Sequence, residues 1–165
     1  MVRVFPSVLM PPMLSSDATL SRRQHWLSVL AKAPADRLEA LWRTLRATPS
    51  YTVLRKPEIG LVMLQGRISG SGAPFAAGEM TVTRAAVRLE SGQMGVSYVG
   101  GRRPRQAELV AAIDALGQLP DWQPQLEEQI VMPLEQEAEA RRRSRAAKAA
   151  ATKVDFFTVA REAGS

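Results

Sequence analysis

The sequence has no cysteine and only one histidine, His25, in 165 residues. The first absence excludes disulfides, thiolate metal sites, a cysteine nucleophile and any iron–sulfur cluster ligated by this chain. The second leaves His25 as the sole candidate for a Ser–His–Asp arrangement, and it excludes a metal site with two histidine ligands. His25 falls in the middle of an expected helix beside Trp26, where a surface histidine that packs or bonds locally is the simpler reading. The carboxylates show no pairing that reads as acid–base chemistry. No apolar run is long enough to span a membrane. Residues 1–16 hold Val2, Val4, Phe5, Val8 and Leu9, but Pro6, Pro11 and Pro12 interrupt them and no small-residue cleavage site follows. A secretory signal is therefore not expected, residues 1–16 read as a flexible extension, and the expected location is the cytoplasm.

What is present supports a folded chain. Apolar residues make up 45%, enough for a core, and the length suits one domain with tails. The net charge of +6 is uneven: residues 1–120 carry 15 basic and 8 acidic groups, residues 121–165 carry 7 and 8. A basic body points to an anionic partner, either nucleic acid, a phosphate compound or an acidic protein, or simply to a surface rich in arginine.

Periodicity divides the chain. After Ser15, Ser16 and Asp17, all good N-caps, Leu20, Leu27 and Leu30 recur at helical spacing, with Trp26, Val29 and Ala33 beside them. Pro34 ends that helix. Leu38, Leu41, Trp42 and Leu45 form the stripe of a second helix over residues 36–47, so the chain is expected to open with an antiparallel helical hairpin. The period then changes from 3.6 to 2. Residues 51–55 read as a short strand, Lys56-Pro57-Glu58 as a turn, residues 59–69 as a longer strand and residues 70–78 as a loop. Two more strands follow, joined at Glu90-Ser91-Gly92-Gln93. The expectation is a four-stranded antiparallel meander over residues 51–100. Beyond it, Pro104 opens a helix with Leu109, Ala112, Ile113 and Leu116 on one face. Residues 123–131 make a short helix that Pro133 interrupts or kinks. The fold class expected is α+β, with residues 17–133 as the core domain. Residues 134–165 are expected to form an extended helical arm ending in the anchor residues Val154, Phe156, Phe157 and Val159.

Alternation along the third of these strands puts Thr81, Thr83, Ala85, Val87 and Leu89 on a core face, and Arg84 and Arg88 together on the other. Arg102 and Arg103 follow the partner strand. Planar guanidinium forks of this kind suit phosphate or carboxylate, so these four residues are candidate anion or partner contacts. The loop Gly66-Arg-Ile-Ser-Gly-Ser-Gly72 has phosphate-loop composition but lacks the Gly-Lys-Ser/Thr ending and leads into a strand. The basic run from Arg141 to Lys148 shares its helix with acids and has no interleaved aromatic, which suits a solvated face.

Several segments in order, Arg23-Gln-His-Trp-Leu-Ser-Val-Leu-Ala31, Thr81-Val-Thr-Arg-Ala-Ala-Val-Arg-Leu89, Gly95-Val-Ser-Tyr-Val-Gly-Gly-Arg102, residues 107–116 and Val154-Asp-Phe-Phe-Thr158, together resemble the PhnG family. These are G subunits of the bacterial carbon–phosphorus lyase core complex. The resemblance runs over residues 20–161. It implies a subunit acting with H, I and L subunits to convert ATP and methylphosphonate into α-D-ribose 1-methylphosphonate 5-triphosphate and adenine. It further implies two copies of each core subunit, and a J subunit that carries the iron–sulfur cluster and S-adenosylmethionine. On this reading the chain binds no cofactor or metal, holds no catalytic residue, and meets neither nucleic acid nor membrane. A stand-alone phosphate- or nucleic-acid-binding module is the alternative left by the residues alone.

Overall fold

A computed structural model describes residues 16–45, 49–68 and 71–152. Two helices, α1 (Ser16–Lys32) and α2 (Ala35–Thr44), lead into three strands, β1 (Tyr51–Arg67), β2 (Pro74–Leu89) and β3 (Met94–Gly100). Helix α3 (Pro104–Leu116) follows. A 3₁₀ turn (Pro120–Trp122), α4 (Gln123–Leu126), a π-helical turn (Glu127–Val131) and α5 (Met132–Ala151) then form one helical path. The fold is α+β, and the sheet is an antiparallel meander in the order β1-β2-β3.

The sheet has three strands, not the four expected. Lys56-Pro57-Glu58 does not turn; β1 runs straight through it, and register shifts between Val53 and Arg55 and between Arg55 and Glu58 absorb the disturbance. Because β1 lies at the sheet edge, Pro57 and two bulges are tolerated there, whereas a central strand would lose ladder bonds. Likewise β2 begins at Pro74, inside the expected loop, with Gly78 at φ +147 and another shift between Leu64 and Gln65.

Helix α3 is the hub. It is apolar almost all round, and every residue from Leu109 to Leu116 is buried. One side receives the inner face of the sheet, where Thr83, Ala85, Val87, Leu89 and Val99 are buried. Contact there is backbone to backbone: a Cβ on Gly95 of β3 would lie 1.9 Å from the Ala111 carbonyl oxygen. Both α1 and α2 pack on α3, and they do not pack side by side as the expected hairpin would. The buried face of α1 is Trp26, Leu30 and Ala33, with Leu20 left exposed. Gln106 of α3 donates its amide to the carbonyls of Leu30 (3.1 Å) and Ala33 (2.9 Å) at the end of α1, where the Leu30 carbonyl also accepts the Ala33 N–H at 3.4 Å.

Buried polar groups tie the layers together. Asp114 of α3 accepts both Nε (2.7 Å) and Nη2 (2.8 Å) of Arg23, and also the Val96 N–H (2.9 Å). Ser97 donates to the Ala107 carbonyl at 2.7 Å. Beyond the π-helical turn, which takes the place of the expected interruption at Pro133, α5 buries Leu134. Glu135 then pairs with His25, and Glu137 accepts Arg37 Nε at 2.7 Å. From Arg142 to Thr152 the helix is exposed.

Candidate functional site

With α3 on the inner face, the outer face of the sheet is largely open among the described residues, although Val82 is buried there and Leu27, Ser28 and Ala31 of α1 adjoin Val96 and Tyr98 at the β3 edge. Its composition follows from strand alternation. On β3, Gly95, Ser97 and Val99 turn inward, so Met94, Val96 and Tyr98 face outward and are exposed. Register sets them beside β2: Arg84 opposite Tyr98, Ala86 opposite Val96 and Arg88 opposite Met94. On the other flank β1 brings Glu58 opposite Arg84 and Thr52 opposite Arg88. The result is an apolar stripe of methionine, valine and tyrosine bordered by arginines.

The two arginines differ in their partners. Arg84 donates to Glu58 across the strands (Nη2 to Oε2, 3.2 Å), and Arg55 reaches the same carboxylate at 4.0 Å. The hydrogen bond and charge of Arg84 hold the Glu58 carboxyl below its ordinary range, and Glu58 raises Arg84 in return. The pair is open to water and so adds little to stability. Arg88 has only the Met94 thioether, a weak acceptor, within 3.4 Å of Nη2. Among the described residues no carboxylate pairs with it. Among the described residues of β1 and β2, the outer face thus presents Arg55, Arg84 and Arg88 against Glu58, a cationic rim on an apolar strip.

The four candidate arginines do not form one cluster. Arg103 belongs to the α3 side: its N–H bonds the Thr83 hydroxyl (2.9 Å) and its guanidinium bonds Gln106 (3.3 Å). Arg102 beside it is exposed. The anchor residues Val154, Phe156, Phe157 and Val159 lie outside the described residues, as does the extension before Ser16. His25 is exposed and faces Glu135 of α5 rather than a nucleophile. Their helices border a groove of about 380 Å³ whose lining mixes Lys32, Arg141 and Arg142 with Glu135 and Glu139. The basic run of α5 is partly neutralised within its own helix, by Arg141–Glu137 (3.8 Å), Arg142–Glu139 (3.3 Å) and Arg143–Glu139 (3.9 Å). The glycine-rich segment around Gly72 sits at the tip of the β1–β2 hairpin, where a Cβ at Gly72 would press on the Ile68 carbonyl at 2.9 Å. Its glycine serves a tight turn. Sequence reasoning did not single out the outward stripe Met94, Val96 and Tyr98, although its alternation with Gly95, Ser97 and Val99 carried the signal.

The family profile described as phosphonate metabolism protein PhnG matches residues 21–162. A relative, the α-D-ribose 1-methylphosphonate 5-triphosphate synthase subunit PhnG of Rhizobium meliloti (strain 1021), is 40% identical over 150 residues. Those residues cover 89% of this chain and 94% of the relative.

Proposed function

The chain belongs to the PhnG family, and on that premise we propose that it is an assembly subunit of α-D-ribose 1-methylphosphonate 5-triphosphate synthase in phosphonate utilisation. With H, I and L subunits it supports transfer of the ribose triphosphate moiety of ATP to methylphosphonate, with release of adenine. ATP is a substrate of the complex, and the iron–sulfur cluster and S-adenosylmethionine belong to a J subunit. Each core subunit is present in two copies. On this reading the assembly works in the cytoplasm.

The observation that carries the subunit reading is the exposed apolar strip on the outer face of the sheet. Sheets with one face on a core ordinarily place polar residues on the other. Here Met94, Val96 and Tyr98 occupy it, and among the described residues no carboxylate pairs with Arg88. Methionine, tyrosine and arginine are the residue types enriched at protein interfaces. The partner surface that fits is apolar at its centre and acidic where Arg84 and Arg88 meet it. The arm over residues 134–165 supplies a second attachment through Val154, Phe156, Phe157 and Val159.

The test is co-expression of the tagged full chain with the H, I and L subunits, followed by purification and an adenine-release assay. The wild-type chain is expected to bring down the other subunits, and omitting it to abolish adenine release. Arg84→Ala and Arg88→Ala together should lower recovery of the complex about tenfold. A complex that forms and turns over without this chain would overturn the reading. Normal recovery with both arginines removed would make them ordinary surface.

A further inference from the structure

Strand β3 stops at Gly100, opposite Val82 of β2. There the Gly101 N–H bonds the Thr81 carbonyl (2.8 Å) and the Thr83 hydroxyl bonds the Gly101 carbonyl (2.7 Å), closing the three-stranded part. Among the described strands, residues 74–81 of β2 continue with β1 alone beside them, as a two-stranded ribbon about 27 Å long. No residue of β1 is buried, and Pro74 to Met80 are all exposed. An isolated two-stranded ribbon is at best marginally stable in water.

Its side chains do not suit water. Ile59, Leu61, Met63, Leu64, Phe75 and Met80 are each between 40% and 63% exposed. Register distributes them over both faces. Ile59 and Leu61 lie opposite Thr83 and Thr81, on the side that meets α3 further along the sheet. Leu64 and Met80 lie on the side of Arg84, and the Phe75 ring crosses Gly66 on that side. Covering these six side chains removes on the order of 600 Å², most of the ~800 Å² per partner in a stable complex. The edge is also unevenly guarded. Near the body, β1 carries Arg55, Lys56, Pro57 and two bulges, devices that discourage edge pairing. From Ile59 to Leu64 it carries no charge and no proline.

We infer that the β1–β2 ribbon inserts into a two-walled apolar cleft on a different subunit of the synthase. This rests on the subunit reading above. The two-sidedness selects the occupant. Edge-to-edge pairing of two copies leaves both ribbon faces in water, and a face-to-face dimer covers one. Only a cleft with two walls covers Ile59, Leu61 and Met63 together with Leu64, Phe75 and Met80. The ribbon's charges in residues 59–67 and 74–81 are Arg67 and Glu79 alone, so the walls are uncharged.

The experiment uses the tagged full chain co-expressed with the other subunits. One variant carries Leu61→Asn and Met63→Asn, the other Leu64→Asn and Met80→Asn. Each is expected to lower the recovered complex at least tenfold while the free chain melts within a few degrees of wild type. In parallel, a photo-crosslinking residue placed at Met63 or at Leu64 should couple to the same foreign subunit from both positions, which decides the matter if a variant misfolds. Normal recovery from both variants, or loss from one alone, would overturn the two-walled cleft. Cross-links between two copies of this chain would assign the ribbon to a homodimer and also overturn it. If the wild-type chain recovers no other subunit, the subunit reading fails first and takes this inference with it.

Discussion

At the scale of single residues, Gly95 is the position with least room. A methyl group there would fall 1.9 Å from the Ala111 oxygen and 2.5 Å from the Ala115 nitrogen, both backbone atoms of the buried hub. Neither can move without lifting α3 from β3. Gly95→Ala should cost about 3 kcal/mol or more, at the upper end of overpacking penalties. Urea unfolding of the isolated chain would measure it; a loss below about 1 kcal/mol would mean that α3 yields easily. Tyr51 offers a test by pH. Partial burial first, and then its hydrogen bond to Glu108 (2.7 Å), raise the phenol above its ordinary value. A raised folded value means the neutral phenol is favoured in the folded state. Its contribution to stability is therefore present below about pH 10 and lost as pH rises through the folded value. In alkaline titration by absorbance, Tyr51→Phe should remove a phenolate signal that develops above the ordinary tyrosine range. A profile unchanged by that substitution would contradict the placement of the phenol against Glu108.

At the scale of elements, local pattern was legible wherever one periodicity decided the matter. Alternation in β2 placed Thr83, Ala85, Val87 and Leu89 inward, as found, and put Arg84 and Arg88 on one outer face, whereas Thr81 of the inward set is only half-buried and Val82, expected outward, is buried. The start of α3 at Pro104 and the turn between β2 and β3 followed from residue chemistry. Where the reading failed, the missing quantity was position in the sheet. Pro57 stops a strand only if its N–H is wanted, and at the edge occupied by β1 it need not be. The same information separates a paired helical hairpin from two helices that share α3 as their partner. Helix α3 itself was read as a one-sided stripe, although Val110, Ala111 and Ala115 complete an apolar circumference in the sequence. The Arg23–Asp114 pair joins residues 91 apart and left no local mark. In the candidate site, the arginines were legible by spacing. The apolar strip between them was not recognised, since an outward Met94 or Val96 is exceptional only once the covering layer is known to lie on the other side.

At the scale of the whole molecule, the described chain has one buried centre and two outward projections, the β-ribbon and the distal half of α5. From Arg142 onward α5 touches no core, so its far end contributes little to folding. Truncation after Lys153 is expected to leave the melting temperature nearly unchanged and to weaken retention in the complex, read by size-exclusion chromatography with the other subunits. Unfolding on truncation would instead assign the terminal residues to the chain's own core, and unchanged retention would remove their role as an anchor. The amide of Gln106 has a consequence for synthesis. It completes the end of α1 from 76 and 73 residues further along the chain. At ~5–20 residues per second, a ribosome needs roughly 4–15 s to travel from Leu30 to Gln106. Throughout that interval the nascent α1 lacks the Gln106 amide and has no α3 to bury Trp26 against, so the first helix made finds its packing partner only after the whole sheet has been translated.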